Sequence, residues 1–178
     1  SALNHPNICT IYEIGQHDSN PFIAMELMEG KTLKHAIDGK PMEIDQVQNF
    51  GVQIADALDA AHAKKIIHRD IKPANIFICR LGPDDDFVKV LDFGLVKHVE
   101  AAGAMLTMEG VTAGTPAYMA PEVALGRPGI DGRADLWALG VVLFEMLTGV
   151  RPFQSTSPTA VLAEILADPI PRADSLAK

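Results

Sequence analysis

A nine-residue loop at the centre of the chain, residues 67–75, constrains the fold more than any other stretch. Short apolar runs stand on both sides of it, and Pro73 excludes a helix, which indicates a rigid loop held between buried elements. The loop carries a carboxylate, an ammonium group and a carboxamide at Asp70, Lys72 and Asn75. Asp70 could accept a proton from an attacking hydroxyl, Lys72 could neutralise a moving anion, and Asn75 could bind a hard cation. Such a loop suits transfer of a charged group, although a polar turn between two strands would have the same composition.

Two further motifs follow this loop in order. An apolar strand pattern ends at Leu91 and is followed by Asp92, Phe93 and Gly94. Residues 114–122 then read Gly-Thr-Pro-Ala-Tyr-Met-Ala-Pro-Glu. The residue types, order and spacing of the three motifs resemble the eukaryotic-type serine/threonine protein kinases in their bacterial form. Small-molecule phosphotransferases carry a loop like the first, but the set of three motifs indicates a protein kinase.

The resemblance implies an α+β, protein-kinase-like fold with a mostly helical large lobe. One partial kinase domain would span residues 1–178, in which residues 1–25 are the remnant of the small lobe, 26–31 the hinge and 32–178 a large lobe truncated at its C-terminus. A complete kinase also has a glycine-rich loop, a strand lysine that binds ATP and a helix glutamate that pairs with this lysine. The chain contains none of these three features, so we expect a fragment that is inactive alone.

Composition limits the classes of function. The chain has 178 residues, of which 48% are hydrophobic and 21% charged, as expected for one globular domain. A formal net charge of −8 argues against nucleic-acid binding. Cys9 and Cys79 lie in apolar segments and are expected to be packed thiols in a reducing, cytoplasmic compartment. No apolar run reaches membrane-spanning length, so we expect no membrane contact within this chain. The resemblance leaves room for a membrane anchor and for dimerisation in the full-length protein.

The resemblance implies transfer of phosphate from ATP to serine or threonine hydroxyls of a protein substrate. Asp70 would be the catalytic base, with Lys72, Asn75 and Thr115 as further catalytic residues. Asn75 and Asp92 would bind the Mg²⁺ that accompanies the ATP phosphates. Lys72, two residues after Asp70, and Thr115 match the serine/threonine kinases rather than the tyrosine kinases.

The ATP-binding residues are also implied by the resemblance. Met25 would be the gatekeeper, and backbone groups of Glu26 and Met28 would bond the adenine edge in the hinge. Phe77 matches the position whose side chain floors the adenine pocket. An extended backbone with alternating carbonyl and N–H groups can recognise a purine without a dedicated side chain. An ordinary edge strand that enters a helix would have the same sequence, so the hinge is implied by the resemblance alone.

A regulatory function is implied for the segment 96–114, which resembles an activation segment. Arg69 corresponds to the residue that pairs with a phosphothreonine and so orders this segment in the family. Thr107 is the first candidate for phosphorylation and Thr112 the second. An unmodified flexible loop is the alternative, because a threonine in a loop does not by itself indicate modification.

Five residues are expected to have structural functions around the site. Phe93 would pack under His68, and Gly94 would give the following loop freedom to move. Glu122 corresponds to a residue that pairs with a buried arginine from a later helix of the family. Asp135 corresponds to a residue that bonds the backbone of the catalytic loop.

Apolar periodicity predicts the elements that carry these motifs. The clearest helix is the amphipathic pattern over residues 45–64, and His62 is expected to pack at its end. The segment 133–147 is apolar around most of its circumference, so we expect it in the core with Asp135 as its N-cap. Residues 81–86 indicate a solvated turn. The remaining predictions are helices over 32–37 and 157–166 and strands over 8–14, 22–27, 76–79 and 87–91.

Two other functions fit parts of the sequence. A pseudokinase or scaffold would bind partners without catalysis, but it has no physical need for Asp70, Lys72, Asn75 and Asp92, which are all present. A small-molecule phosphotransferase is disfavoured because the segment 114–122 resembles one that forms a groove for a peptide. Phosphate transfer with Asp70→Asn as a control would separate a kinase from a scaffold. Competition by peptide or by an aminoglycoside would separate the two kinds of transferase.

Overall fold

The computed structural model describes residues 3–18, 20–81, 84–93 and 116–175. The strands are β1 (Ile11–His17), β2 (Asn20–Met25), β3 (Gly30–Thr32), β4 (Ile76–Leu81) and β5 (Asp84–Val90). The helices are α1 (Leu33–Ile37), α2 (Ile44–His62), α3 (Pro121–Ala124), α4 (Arg133–Thr148) and α5 (Pro158–Ala167). Short 3₁₀ turns lie at Pro73–Asn75, Pro116–Tyr118 and Ala173–Ser175. None of these helices is long and apolar enough to cross a membrane.

The strands form two small antiparallel sheets. β1 pairs with β2, and β3, β4 and β5 form the second sheet in that order. Ile8 joins the two through a parallel bridge to Val90, and the N–H of Cys9 donates to the Val90 carbonyl at 2.9 Å. In β4, Ile76 and Ile78 are buried in the core, so the alternation of a strand directs Phe77 to the opposite face.

Helix α2 packs its apolar stripe into the core, as its periodicity predicts. The helix begins one residue before the predicted position and ends two residues earlier. Gln53 ties it to β5, because its Oε1 accepts a hydrogen bond from the Val88 N–H at 2.8 Å. The same Oε1 accepts a 2.9 Å bond from the amide of Asn7. The buried stripe consists of Val47, Phe50, Ile54, Ala57, Leu58 and Ala61.

Helix α4 lies in the same core and extends one residue beyond the predicted 133–147. The prediction that Asp135 caps this helix is wrong. Gly132 occupies the N-cap position, and Asp135 lies in the first turn. Its carboxylate is directed away from the helix end because it accepts hydrogen bonds from the loop that precedes Asp70.

Several predicted strand boundaries differ from the structure because pairing between strands, and not the local pattern, sets where each strand begins and ends. The predicted turn over 81–86 is shorter, since Leu81 pairs with Asp84 and β5 begins at Asp84; residues 82–83 lie outside the described part. The acidic run therefore begins β5. The predicted strand over 8–14 lies at Ile11–His17 instead. Its pairing with β2 begins at Ile11, and the register shifts once between Ile11 and Glu13.

Candidate active site

The side chains of the central loop converge on one carboxylate oxygen. Lys72 Nζ lies 2.6 Å from Asp70 Oδ2, and Asn75 Nδ2 donates to the same oxygen at 2.8 Å. Asn75 Nδ2 also donates to the Asp70 backbone carbonyl at 2.9 Å. Asp70 is exposed, whereas Asn75 is buried in the 3₁₀ turn that Pro73 begins. The loop thus presents a carboxylate to solvent with one of its oxygens already bound by two donors.

Asp135, in the first turn of α4, fixes the backbone of this loop. Its side chain is 1% exposed, and its carboxylate accepts 2.8 Å hydrogen bonds from the N–H groups of His68 and Arg69. A third bond, at 2.7 Å, joins it to Nε2 of His62 at the end of α2. Arg69 adopts a positive φ of 68°, which a non-glycine residue keeps only where its surroundings hold it. A carboxylate from α4 therefore sets the conformation that precedes Asp70.

The ring of His68 connects the loop to the segment after β5. Nε2 donates to the Leu91 carbonyl at 2.7 Å, and Nδ1 accepts a 3.2 Å bond from the Asp70 N–H. Its centroid lies 4.6 Å from that of Phe93, in an edge-to-face arrangement. Burial holds the pKa of His68 below its usual value, although the nearby carboxylates of Asp135, Asp70 and Asp92 act in the opposite direction. His68 is therefore neutral at physiological pH, and its ring holds the loop against Leu91 and Phe93.

Asp92 lies beside the loop that carries Asp70. The Leu91 N–H donates to the Asn75 carbonyl at 2.9 Å, which fixes the chain immediately before Asp92. Asp92 itself has a positive φ of 64° and is half-buried. The carboxylates of Asp70 and Asp92 both favour the protonated form of His68, although burial of the ring outweighs them and its pKa stays lowered. An amide and two carboxylates thus lie on two segments of the chain that a backbone hydrogen bond joins, and all three offer the oxygen ligands that hard divalent cations prefer.

The stretch from Glu26 to Glu29 connects β2 to β3, and both of its ends are fixed. The Glu26 N–H donates to the Thr10 carbonyl at 3.0 Å, and the Glu29 carbonyl accepts from the Arg80 N–H at 2.8 Å. Between these bonds, the Glu26 carbonyl and the Met28 backbone make no backbone hydrogen bond to the described residues. Met25, at the end of β2, is exposed. This pattern leaves backbone donors and acceptors at a defined spacing.

Phe77 lies on the face of the second sheet that is directed away from the core. The residue is half-buried and pairs with Thr32 on one side and Lys89 on the other. Its side chain is thus carried by the strand next to β3, and β3 begins at Gly30, directly after the stretch 26–29. The structure is compatible with an aromatic floor beneath a planar ligand.

A second group of contacts lies where the 3₁₀ turn at 116–118 meets α4. The Tyr118 hydroxyl donates to Glu145 Oε2 at 2.6 Å, and burial together with this carboxylate holds the pKa of Tyr118 far above its usual value. Glu122 is half-buried in the first turn of α3. The sequence arguments missed Glu145, although an acidic residue within the apolar run 136–147 is a signal for a specific partner.

Several predicted site residues lie outside the described residues. These are Gly94, Thr107, Thr112 and Thr115, together with the whole segment 96–114 from which the regulatory predictions come. Arg69 is exposed at its side chain and is held through its backbone by Asp135.

Comparison with known proteins agrees with this geometry. The family model for the protein kinase domain matches residues 1–174. The serine/threonine-protein kinase Pkn1 of Myxococcus xanthus is 42% identical over 176 residues, which cover 99% of this chain and 25% of the relative. The kinase pkn3 of the same organism is 40% identical, with 96% of this chain and 32% of the relative covered. The probable serine/threonine-protein kinase PknB of Corynebacterium glutamicum is 36% identical, with 98% and 27% covered.

The chain spans about a quarter to a third of the length of these relatives. The family match covers nearly the whole chain, and the mixed helices and small antiparallel sheets are those of an α+β fold, so the predicted kinase-like class is confirmed. The chain belongs to the protein kinase domain family.

Proposed function

We propose that the protein carrying this chain transfers the γ-phosphoryl group of ATP to serine or threonine hydroxyls of protein substrates. The observation that carries the proposal is the carboxylate of Asp70, held by Lys72 and Asn75 in a loop whose backbone Asp135 fixes. Relatives named serine/threonine-protein kinases support the same activity.

Asp70 is the base in this proposal. Because Oδ2 already accepts from Lys72 and Asn75, Oδ1 is the oxygen that receives the proton of the substrate hydroxyl. The hydroxyl oxygen bonds to the γ-phosphorus, the bond from this phosphorus to the bridging oxygen breaks, and ADP leaves. Lys72 stabilises the negative charge of the transferred group. Thr115 is assigned the function of orienting Asp70 and Lys72 towards the hydroxyl of serine or threonine.

Asn75 and Asp92 are the proposed ligands of Mg²⁺. Both amide-nitrogen bonds of Asn75 are made within the loop, so its Oδ1 remains for a cation. Among the described residues no cluster of three His, Cys, Asp or Glu side chains could hold a metal by itself. Ligands from the triphosphate and from water would therefore complete the coordination. When bound, the cation neutralises charge on the phosphates.

The adenine site is proposed at the stretch that follows β2. The Glu26 carbonyl and the Met28 backbone would bond the adenine edge, and Phe77 would pack beneath the ring. Met25 would limit the depth of this pocket. Residues 1–25 would then belong to the small lobe, 26–31 to the hinge and 32–178 to the large lobe.

The remaining functions concern regulation and cellular context. We assign Arg69 to a phosphorylated threonine of the activation segment, with Thr107 as the first site and Thr112 as the second. Glu122 is proposed to pair with an arginine, and Gly94 to act as a pivot for the segment after Asp92. The cytoplasm, where ATP is present and the buried free thiols stay reduced, is the proposed location. A membrane anchor and dimerisation are proposals for the full-length protein only.

The test is transfer of radioactive phosphate by the full-length protein to a serine/threonine substrate. Asp70→Asn should lower turnover by roughly 10²–10⁴-fold, because the transition state loses its base. Asp59→Asn, an exposed aspartate of α2, is the matched control and should leave turnover unchanged. Full turnover by Asp70→Asn would refute the assignment of the base. No transfer by the wild-type protein, with partners still bound, would instead favour a scaffold.

A further inference from the structure

The side chain of Lys89, in β5, contacts the first residue of the hinge. Its Nζ lies 2.8 Å from Oε1 of Glu26, and the two side chains are 13% and 20% exposed. The same Oε1 accepts a 2.7 Å hydrogen bond from the Thr10 N–H. The Glu26 N–H donates to the Thr10 carbonyl in return. One carboxylate oxygen therefore joins β5, the hinge and the residue that precedes β1.

The ion pair between Lys89 and Glu26 is largely shielded from water. Burial alone would raise the pKa of Glu26, but the hydrogen bonds from Lys89 and Thr10 outweigh it and hold this pKa below its usual value. The neighbouring thiols do not compete for the ammonium group, because burial raises the pKa of Cys9 to about 11 and raises that of Cys79 as well. Glu26 is thus ionised at neutral pH, and loss of either partner would leave the other charge without compensation.

This pair bears directly on the backbone of the hinge. At one end Glu26 is fixed through both its N–H and its carboxylate, and at the other the Glu29 carbonyl accepts from the Arg80 N–H. Leu27, between them, is 94% exposed, so burial of its side chain does little to hold the stretch in place. The direction of the Glu26 carbonyl therefore depends on bonds made by its own side chain.

We propose that Lys89 is a positioning residue for the nucleotide, which acts through Glu26 to fix the hinge in the conformation that bonds adenine. The proposal rests on the proposed function, because the hinge is assigned to adenine there. Without the ammonium group, the Glu26 carboxylate turns towards water and the hinge samples more conformations. Binding of adenine then has to restore the order that Lys89 provides in the wild type.

The experiment measures ATP affinity and turnover of the full-length protein. Lys89→Met should raise the Kd and the KM for ATP by roughly five- to tenfold and leave kcat within about twofold, because one hinge hydrogen bond is weakened while the catalytic loop is untouched. Lys89→Arg should restore most of the affinity, since the cation is kept. Lys34→Met, which removes the same charge from an exposed position in α1, is the matched control and should change neither constant.

A second ligand separates positioning from a general loss of structure. Purine riboside triphosphate lacks the 6-amino group that would donate to the Glu26 carbonyl, so Lys89→Met should weaken its binding by less than about twofold. Equal weakening of both nucleotides, or a lower melting temperature with unchanged ATP affinity, would overturn the proposal. The proposed function fails separately, if wild-type protein binds no ATP or if Asp70→Asn keeps full turnover.

Discussion

At the scale of single residues, the carboxylate of Asp135 accepts three hydrogen bonds although its side chain is almost fully buried. Two of these bonds come from backbone N–H groups, those of His68 and Arg69. A buried carboxylate of this kind is held by its donors, and the donors depend on it in turn. Folding of α4 and the geometry of the loop that carries Asp70 therefore depend on the same side chain.

Asp135→Asn should lower the free energy of unfolding by about 1–3 kcal/mol, because the amide can accept at only one atom and turns its NH₂ towards a buried N–H donor. Chemical denaturation monitored by the fluorescence of Trp137 in α4 would measure this loss. The matched control is Asp131→Asn. Asp131 is an exposed aspartate just before α4, and it pairs with Arg133, the first residue of that helix. We expect the control to lose less than about 0.5 kcal/mol, because its pair with Arg133 is exposed to water. Equal stability of the two variants would contradict the function given to Asp135.

At the scale of elements, helix α4 ends where it contacts the loop after α1. Gly149 is its C-cap residue, with a φ of 75°, and a Cβ atom there would lie 2.8 Å from the Gly39 carbonyl oxygen and 2.8 Å from Lys40 backbone atoms. Both the left-handed conformation and the close approach of two backbones require glycine. Helix α4 can end in contact with residues 39–40 only because Gly149 has no side chain.

Gly149→Ala should destabilise the protein by about 1–3 kcal/mol, since alanine is strained at this φ and its methyl group meets backbone. Gly140→Ala in the same helix is the comparison. Its Cβ would meet nothing within 4 Å, so better helix propensity should stabilise the protein by about 0.5–1 kcal/mol. Thermal unfolding of both variants tests the pair, and a loss of stability for both would show that the contact at residues 39–40 is not the cause.

The sequence predicts the elements better than the contacts between them. The stripe of α2 and the apolar circumference of α4 define each helix locally, so both were located within two residues. The N-cap assigned to Asp135 was wrong because local propensity favours aspartate at a helix start, whereas the loop before Asp70 competes for the carboxylate. The pairing of Lys89 with Glu26 joins residues 63 positions apart, and no periodicity reports such a distance.

At the scale of the whole molecule, the two sheets differ in how well they are supported. The second sheet packs on α2 through β5, whereas the β1–β2 hairpin is connected mainly through Ile8, Cys9 and Glu26. Apolar side chains of this hairpin remain exposed to solvent. They are Tyr12, Ile14, Phe22, Ile23 and Met25. A hairpin with little burial contributes little to cooperative stability.

Hydrogen exchange of this chain should therefore show two levels of protection. We expect the amides of β1 and β2 to exchange at least roughly tenfold faster than those of α2, because the hairpin opens locally while α2 exchanges only on global unfolding. Mass spectrometry of peptides from residues 11–25 and 44–62 would compare them. Equal protection of the two would show instead that the hairpin unfolds together with the core.

The carboxylate that links α4 to the catalytic loop has a consequence for genetics. On the proposed function, a cell carrying Asp70→Asn should contain a folded, stable protein that still occupies substrates, so this allele would interfere with the wild-type copy. A cell carrying Asp135→Asn should lose much of the protein to proteolysis, and that allele would be recessive. A genetic screen would thus distinguish the two aspartates, since one allele is dominant and the other recessive although both residues belong to the same contact between a loop and a helix.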